Sequence, residues 1–143
     1  MGTQQMLLIA LVMIIVGISV AVGITLFQNQ AYNTNRDALV SELITYRPAV
    51  VRYWKVSKLL GGAGGDITNV TQERVANYIG FTGANYSLVS DNGEFRVTSV
   101  VGRIVTIKGL GAETKGGKHP LVTATINIET GVIRTDIGNA AGW

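Results

Sequence analysis

The first part of the chain is an apolar, uncharged run from Met6 to Phe27. It is interrupted only by glycine and by two hydroxyl-bearing residues, and it contains no proline. No charged side chain occurs before Arg36. About 20 apolar residues in a helix are enough to cross the hydrocarbon core of a bilayer. Because such a segment cannot stay exposed to water, we expect it in a membrane, in an assembly of like segments, or in each at different times.

Charge is confined to the rest of the chain, where all 12 basic and 9 acidic side chains lie. The net charge of +3 includes no Lys/Arg run, so we expect no nucleic-acid partner. The absence of cysteine excludes a disulfide framework, a thiolate metal site and a cysteine nucleophile. With His119 as the single histidine, one chain cannot build a multi-histidine metal site. We expect neither metal nor cofactor.

The apolar run differs from a secretory signal peptide. Met1–Gln5 lacks a basic side chain, and the run is long for a signal-peptide core. It also continues into a helical pattern without an evident cleavage site. We therefore interpret it as a retained segment.

An amphipathic pattern follows the apolar run. Five apolar or aromatic residues recur at spacings of 4, 3, 4 and 3, and they are Leu39, Leu43, Tyr46, Val50 and Tyr53. This spacing predicts one stripe on a helix, packed against a sheet. Pro48 allows either one bent helix or two separate helices. Because the stripe keeps the same helical phase on both sides of Pro48, one bent helix is favoured. The glycines of 61–65 end the pattern.

Joined together, these segments predict one helix from residue 3 to about 59, roughly 85 Å long. A small domain is only roughly 25–30 Å across, so the helix must protrude from it. The resulting division has an apolar helix half at 1–28, which we expect in a membrane or in an assembly of like segments. An amphipathic helix half at 29–60 packs on the sheet, and a globular antiparallel β domain with one short helix occupies 61–143.

The C-terminal part of the chain alternates in the manner of antiparallel strands. A short helix is predicted before them, between Asp66 and Gly80, with Thr71 as its cap. The predicted strands are 86–90, 94–101, 103–108, 121–128 and 132–137. Asn92-Gly93 is the turn signal of the first hairpin, 109–120 is a loop, and 138–143 is a tail. The pattern predicts an α+β fold: a long protruding N-terminal helix packed on a small antiparallel sheet.

Motifs for chemistry are weak. The segment 109–119 departs from a phosphate-binding loop, because Ala112 replaces the first glycine and His119 replaces the Ser or Thr that binds magnesium. Glu113 and His119 are more simply interpreted as solvated loop residues than as an acid/base pair. No set of nucleophile, base and charge stabiliser is evident, so we do not expect an enzyme. Asn69 and Asn85 begin glycosylation sequons and are possible acceptors.

A long helix, apolar in front and amphipathic behind, followed by an antiparallel sheet, resembles the type IV pilins and the related pseudopilins. The specific part of the resemblance ends near Gln30. It implies that the apolar half first anchors the subunit in the inner membrane. The same half then packs with its copies in the core of an extracellular helical filament built by the pilus assembly machinery. Small residues such as Gly17 and Ala21 permit close helix approach.

The resemblance also implies which residues form the filament core. Members of the family usually carry glutamate at the fifth position, where this chain, counted from Met1, has Gln5. A glutamine there hydrogen-bonds the terminal amine of a neighbour without charge pairing. The residues assigned to the core are Met1, Gln5, Leu7, Leu11, Ile14, Gly17, Ala21, Gly23 and Phe27. The loops at Asn85, 91–93 and 109–120 are expected to face outward.

Two other functions stay open. A pseudopilin of a secretion or DNA-uptake machine has the same architecture, because abundance cannot be inferred from sequence. A monomeric membrane-anchored binding domain belongs to a different class. It needs neither small residues along the apolar run nor a long amphipathic continuation, and this chain has both.

Overall fold

One long helix carries an antiparallel sheet on its C-terminal half in the computed structural model, which describes residues 2–143. The two helices are α1 (Gly2–Lys55) and α2 (Gln72–Ile79). The five strands are β1 (Ser87–Ser90), β2 (Gly93–Val101), β3 (Ile104–Gly111), β4 (His119–Asn127) and β5 (Ile133–Ala140). The predicted α+β fold, with its protruding helix, is confirmed.

Helix α1 contains 54 residues, which corresponds to about 81 Å. It continues through Pro48, as the phase of the stripe predicted. Pro48 has no N–H for the Ile44 carbonyl, and both residues lie on the exposed side of the helix.

The end of α1 lies before the predicted position, at Lys55. The glycine segment after the helix folds back, and Ala63 N–H donates to Tyr53 O at 2.8 Å while Gly65 N–H donates to Trp54 O at 2.9 Å. These bonds satisfy the last carbonyls of the helix. A separate 3-10 turn, Lys58–Leu60, forms in place of the predicted last helical turn.

The sheet is a meander in which each strand pairs antiparallel with the next, in the order β1-β2-β3-β4-β5. Its inner face is fully buried and is formed by Phe95, Val97, Val105, Ile107, Val122, Ala124, Ile126 and Ile128. The alternate residues Thr123, Thr125 and Asn127 are half-buried on the outer face. This alternation is the one predicted for a sheet with one covered face.

The stripe on α1 covers that inner face. Leu39, Leu43, Val50 and Tyr53 are fully buried. Tyr46 is half-buried, with its ring 5.0 Å from that of Phe81 in an edge-on arrangement. Its hydroxyl donates to a Glu42 carboxylate oxygen at 3.2 Å. Burial, together with this carboxylate, raises the pKa of Tyr46, so the hydroxyl stays a donor.

Leu43 provides a direct test of this interface. Replacing it with alanine leaves a cavity between helix and sheet, and we expect a loss of about 2–5 kcal/mol in the free energy of unfolding. Urea unfolding of the full chain in detergent micelles, followed by the fluorescence of half-buried Trp54, measures the loss. The control is Ile44→Ala on the exposed side, where we expect a change within about 0.5 kcal/mol. Equal effects of the two substitutions would contradict the packing described here.

The part of α1 that contacts the sheet domain begins before Leu39, the first residue of the predicted stripe. Tyr32 is only 8% exposed, and its hydroxyl donates to Asn139 Oδ1 on β5. Asn35 is also 8% exposed, and its amide donates to Asn92 O at 2.7 Å. An apolar stripe does not predict these contacts, because Tyr32 and Asn35 lie in a polar segment.

The predicted bounds of the loop 109–120 are wrong at both ends. β3 continues to Gly111 and β4 begins at His119, so only 112–118 forms a loop. Gly109, Leu110 and Gly111 are buried, and they do not face outward. A Cβ at Gly111 would overlap the side chains of Asn35 and Pro120. A Gly-Leu-Gly sequence therefore serves as a strand where α1 approaches the sheet closely.

Other boundaries also differ from prediction. The predicted tail 138–143 is wrong in part, because β5 pairs with β4 as far as Ala140. The first hairpin turns at Asp91 and Asn92, and Gly93 is the first residue of β2, paired with Ser90. Helix α2 begins at Gln72, and its predicted cap Thr71 is confirmed, since Thr71 Oγ1 accepts from Arg74 N–H at 3.3 Å. Asp66 instead caps a separate 3-10 turn by accepting from Thr68 N–H at 2.9 Å.

The C-terminal tail is tied to β2 by its last residue. Trp143 Nε1–H donates to Glu94 Oε2 at 2.7 Å, and Arg96 Nε donates to Glu94 Oε1 at 2.9 Å. The Arg96 guanidinium lies 4.2 Å from the centre of the Trp143 ring. The Arg96 hydrogen bond, with that of Trp143, holds the pKa of Glu94 below its usual range.

This lowered pKa has a direct pH consequence. A carboxylate whose pKa falls on folding stabilises the fold above its unfolded pKa, near 4.3, and this contribution is lost as pH falls through the lower folded pKa. We expect Glu94→Gln to lose less stability than the parent chain between about pH 5 and pH 3. Urea midpoints measured across that interval test the expectation, and parallel curves for the two chains would contradict it.

Candidate assembly surface

The apolar half of α1 extends away from the sheet domain. Every described residue from Gly2 to Gln28 is exposed, including sixteen large apolar side chains between Met6 and Phe27. By length and composition this part of α1 can cross a membrane. At a helical rise of about 1.5 Å per residue, the run from Met6 to Phe27 measures about 33 Å, close to the thickness of a bilayer core.

Small residues lie on two opposite sides of this segment. At about 100° per residue, Ala10, Gly17 and Ala21 fall within about 40° of one another. Ser19 and Gly23 lie on the opposite side, about 40° apart. Two opposite faces suit an arrangement in which each helix has neighbours on several sides. A closed dimer would require only one.

The fold of the single chain does not require Gly17 or Gly23. A Cβ added at either position meets no described atom within 4 Å. Glycine inside a helix costs about 1 kcal/mol relative to alanine. The single chain therefore leaves open space at both glycines, which is compatible with close approach of a second helix.

The hydroxyl groups of the apolar segment are satisfied within it. Ser19 Oγ donates to Ile15 O at 2.8 Å, and Thr25 Oγ1 donates to Ala21 O at 3.0 Å. A polar group without a partner is costly in lipid and in a packed helical core alike. The hydroxyl groups of the segment are therefore paired in either environment.

The residues assigned to a filament core surround the helix. Gln5, Leu7, Leu11, Ile14 and Phe27 are all exposed, as are Gly17, Ala21 and Gly23. A single chain does not bring them together, so their role stays a prediction. Met1 lies outside the described residues.

A crevice of about 430 Å³ lies where α1 leaves the sheet domain, with exposed Phe27 at its edge. Its other side is formed by the β1–β2 turn and the β3–β4 loop, through Asp91, Asn92, Ala112 and Glu113. The 91–92 turn and the 112–118 loop thus lie at the end of the domain nearest the apolar segment.

The two possible glycosylation sites differ in access. Asn69 is only 7% exposed; its amide donates to Ala63 O at 3.1 Å, and its Oδ1 accepts from Arg74 at 3.1 Å. The folded chain does not present Asn69 to a glycosylating enzyme, which contradicts that prediction. Asn85 is exposed in a left-handed backbone conformation, with φ of 57°, and stays a possible acceptor.

The histidine is part of the sheet. His119 begins β4, where its Nδ1 hydrogen-bonds the Gly111 carbonyl oxygen at 2.7 Å. Within residues 2–143, no group of three or more His, Asp or Glu side chains is arranged to hold a metal ion.

Comparison of the chain with models of known protein families, with curated proteins and with solved structures found no match.

Proposed function

We propose that this protein is the structural subunit of a type IV pilus-like helical filament, and not an enzyme. In this proposal the chain first resides in the inner membrane as a single-pass protein. It then polymerises through the apolar half of α1 and is displayed at the cell surface. The single observation that carries the proposal is an unbroken helix whose front half is wholly exposed and whose rear half is packed on the sheet.

The free energy of removing apolar side chains from water favours burial of the apolar half of α1 in the working protein. Each large apolar side chain gains about 1.5–3 kcal/mol when it is removed from water. Sixteen such side chains amount to tens of kcal/mol, more than the total stability of a typical domain. A bilayer and a filament core both supply this burial, so transfer between them has little net hydrophobic cost.

The small residues favour assembly over a monomeric anchor. A monomer surrounded by lipid does not require glycine at positions 17 and 23, where an added Cβ meets no described atom. Neighbouring helices in a filament approach more closely at such positions. The same geometry serves a pseudopilin, which is the alternative within the class. A monomeric membrane-anchored binding domain is the alternative outside it.

Electron microscopy of filaments sheared from producing cells, with intact-mass analysis of their subunit, tests the proposal. We expect filaments whose subunit mass corresponds to this chain, and the same measurement shows whether Met1 is the mature terminus. Protein found only in the membrane fraction, with no filaments, would favour the anchored domain. Short or rare assemblies at wild-type expression would favour a pseudopilin.

A further inference from the structure

A basic pocket of about 420 Å³ lies beside α1, at the end of the domain nearest the apolar segment. The described residues that line it are Tyr32, Asn33, Arg36, Lys115, Gly116, Lys118 and Asn139. Three of these side chains are cationic and none is acidic. The pocket therefore joins a positive field to amide and hydroxyl groups that form hydrogen bonds.

The β3–β4 loop supplies two of the cations from an ordered turn. Lys115 N–H donates to Lys118 O at 2.9 Å, and Lys118 N–H donates to Lys115 O at 3.2 Å. Gly116 and Gly117 complete this tight turn with φ of 58° and 73°, values that glycine adopts without strain. The backbone that carries the lysine pair is thus fixed opposite Arg36, which comes from the helix.

One guanidinium nitrogen of Arg36 has no hydrogen-bond acceptor among the described residues. Its Nε is buried and makes no hydrogen bond to any described residue. The carboxylate of Asp37 is 4.0 Å away and is itself largely exposed. That nitrogen is enclosed by the chain, but the Arg36 side chain as a whole is 36% exposed and lines the pocket. Arginine matches phosphate geometry especially well.

The position of the pocket indicates where a phosphate group would come from. The same loop, through Ala112 and Glu113, lines a crevice with Phe27, the last residue of the apolar run. The loop therefore reaches the level at which α1 would leave a bilayer. Lipid headgroups occupy roughly 5–7 Å beyond the hydrocarbon core, within reach of long Lys and Arg side chains from such a loop.

We propose that Arg36, Lys115 and Lys118 bind a phosphate group, and that its source is the headgroup of an anionic phospholipid. The inference rests on the membrane residence in the proposed function. It adds a specific lipid contact that holds the globular domain against the membrane surface before assembly. Extraction of a subunit from the membrane then includes release of this headgroup.

The test uses the purified full chain in mixed micelles with equal amounts of phosphatidylglycerol and phosphatidylcholine. Native mass spectrometry counts the lipids that stay bound. We expect the parent chain to retain phosphatidylglycerol preferentially. Lys115→Gln with Lys118→Gln should reduce that preference about five-fold for each lysine removed. The matched control is Arg52→Gln with Lys55→Gln, which removes the same charge near the far end of α1, and it should keep the preference.

Equal loss in both double variants would overturn the site, since it would reduce the effect to net charge. A second arm replaces the lipid mixture with inorganic phosphate. Binding of phosphate that depends on Lys115 and Lys118, without lipid preference, would support the phosphate site and overturn its lipid source. Normal membrane insertion without pocket-dependent lipid retention contradicts this inference alone, whereas failure to insert contradicts the proposed function as well.

Discussion

Replacing Gly17 with phenylalanine is expected to abolish filament assembly while leaving membrane insertion intact. The single chain accommodates the ring, because a Cβ at position 17 meets no described atom within 4 Å. Phenylalanine is also favourable in a membrane-spanning helix. Between closely packed helices the ring must displace a neighbour, and overpacking of this kind costs about 1–3 kcal/mol. Since each subunit repeats the clash, filament yield should fall by at least about ten-fold.

The measurement compares sheared filaments with the membrane-bound pool by quantitative immunoblotting. Leu8→Phe is the matched control, since it adds the same ring where a large apolar side chain already stands, and it should assemble. Ala21→Phe, on the same side of the helix as Gly17, should fail in the same way. Normal filaments from Gly17→Phe and Ala21→Phe would contradict a close-packed helical core.

Removal of residues 1–28 is expected to leave a soluble, folded monomer. The truncation leaves the sheet and the packed half of α1, including the Tyr32–Asn139 hydrogen bond. It removes all sixteen exposed large side chains of the apolar run. Size-exclusion chromatography should give a monomer, and cooperative urea unfolding should show that the domain is folded.

A deeper truncation sets the boundary of that domain. Removing residues 1–40 also deletes Tyr32, Asn35 and fully buried Leu39, which uncovers one end of the inner face of the sheet. We expect this fragment to unfold or to aggregate. If the shorter truncation aggregated as well, the sheet domain would depend on the apolar segment or on assembly for its stability.

The sequence was most informative where a side-chain pattern had one dominant cause. The apolar run predicted the protruding helix, and the stripe from Leu39 to Tyr53 predicted its buried face, because burial alone explains both. The sequence did not predict that β3 continues through Gly109–Gly111. Glycine has no side chain to alternate, and its role there is to let α1 approach, which is a property of the tertiary structure.

The burial of polar side chains on α1 could not be predicted for a related reason. Tyr32 and Asn35 lie in a segment of polar composition, and only the positions of Asn139 and Asn92 explain why they are buried. Asn69 satisfies a short sequon, yet its side chain is engaged with Ala63 and Arg74 inside the fold. The pocket at Arg36 could not be foreseen either, since its lysines belong to a loop that only the folded sheet brings next to the helix.

The order of the strands has a consequence for folding kinetics. Because each strand pairs with the next one along the chain, the contacts within the sheet have short sequence separation, and such contacts form faster than non-local ones. Helix α1 precedes the whole sheet, so its buried stripe is available as a template before β1 exists. Each hairpin can then dock as soon as it closes.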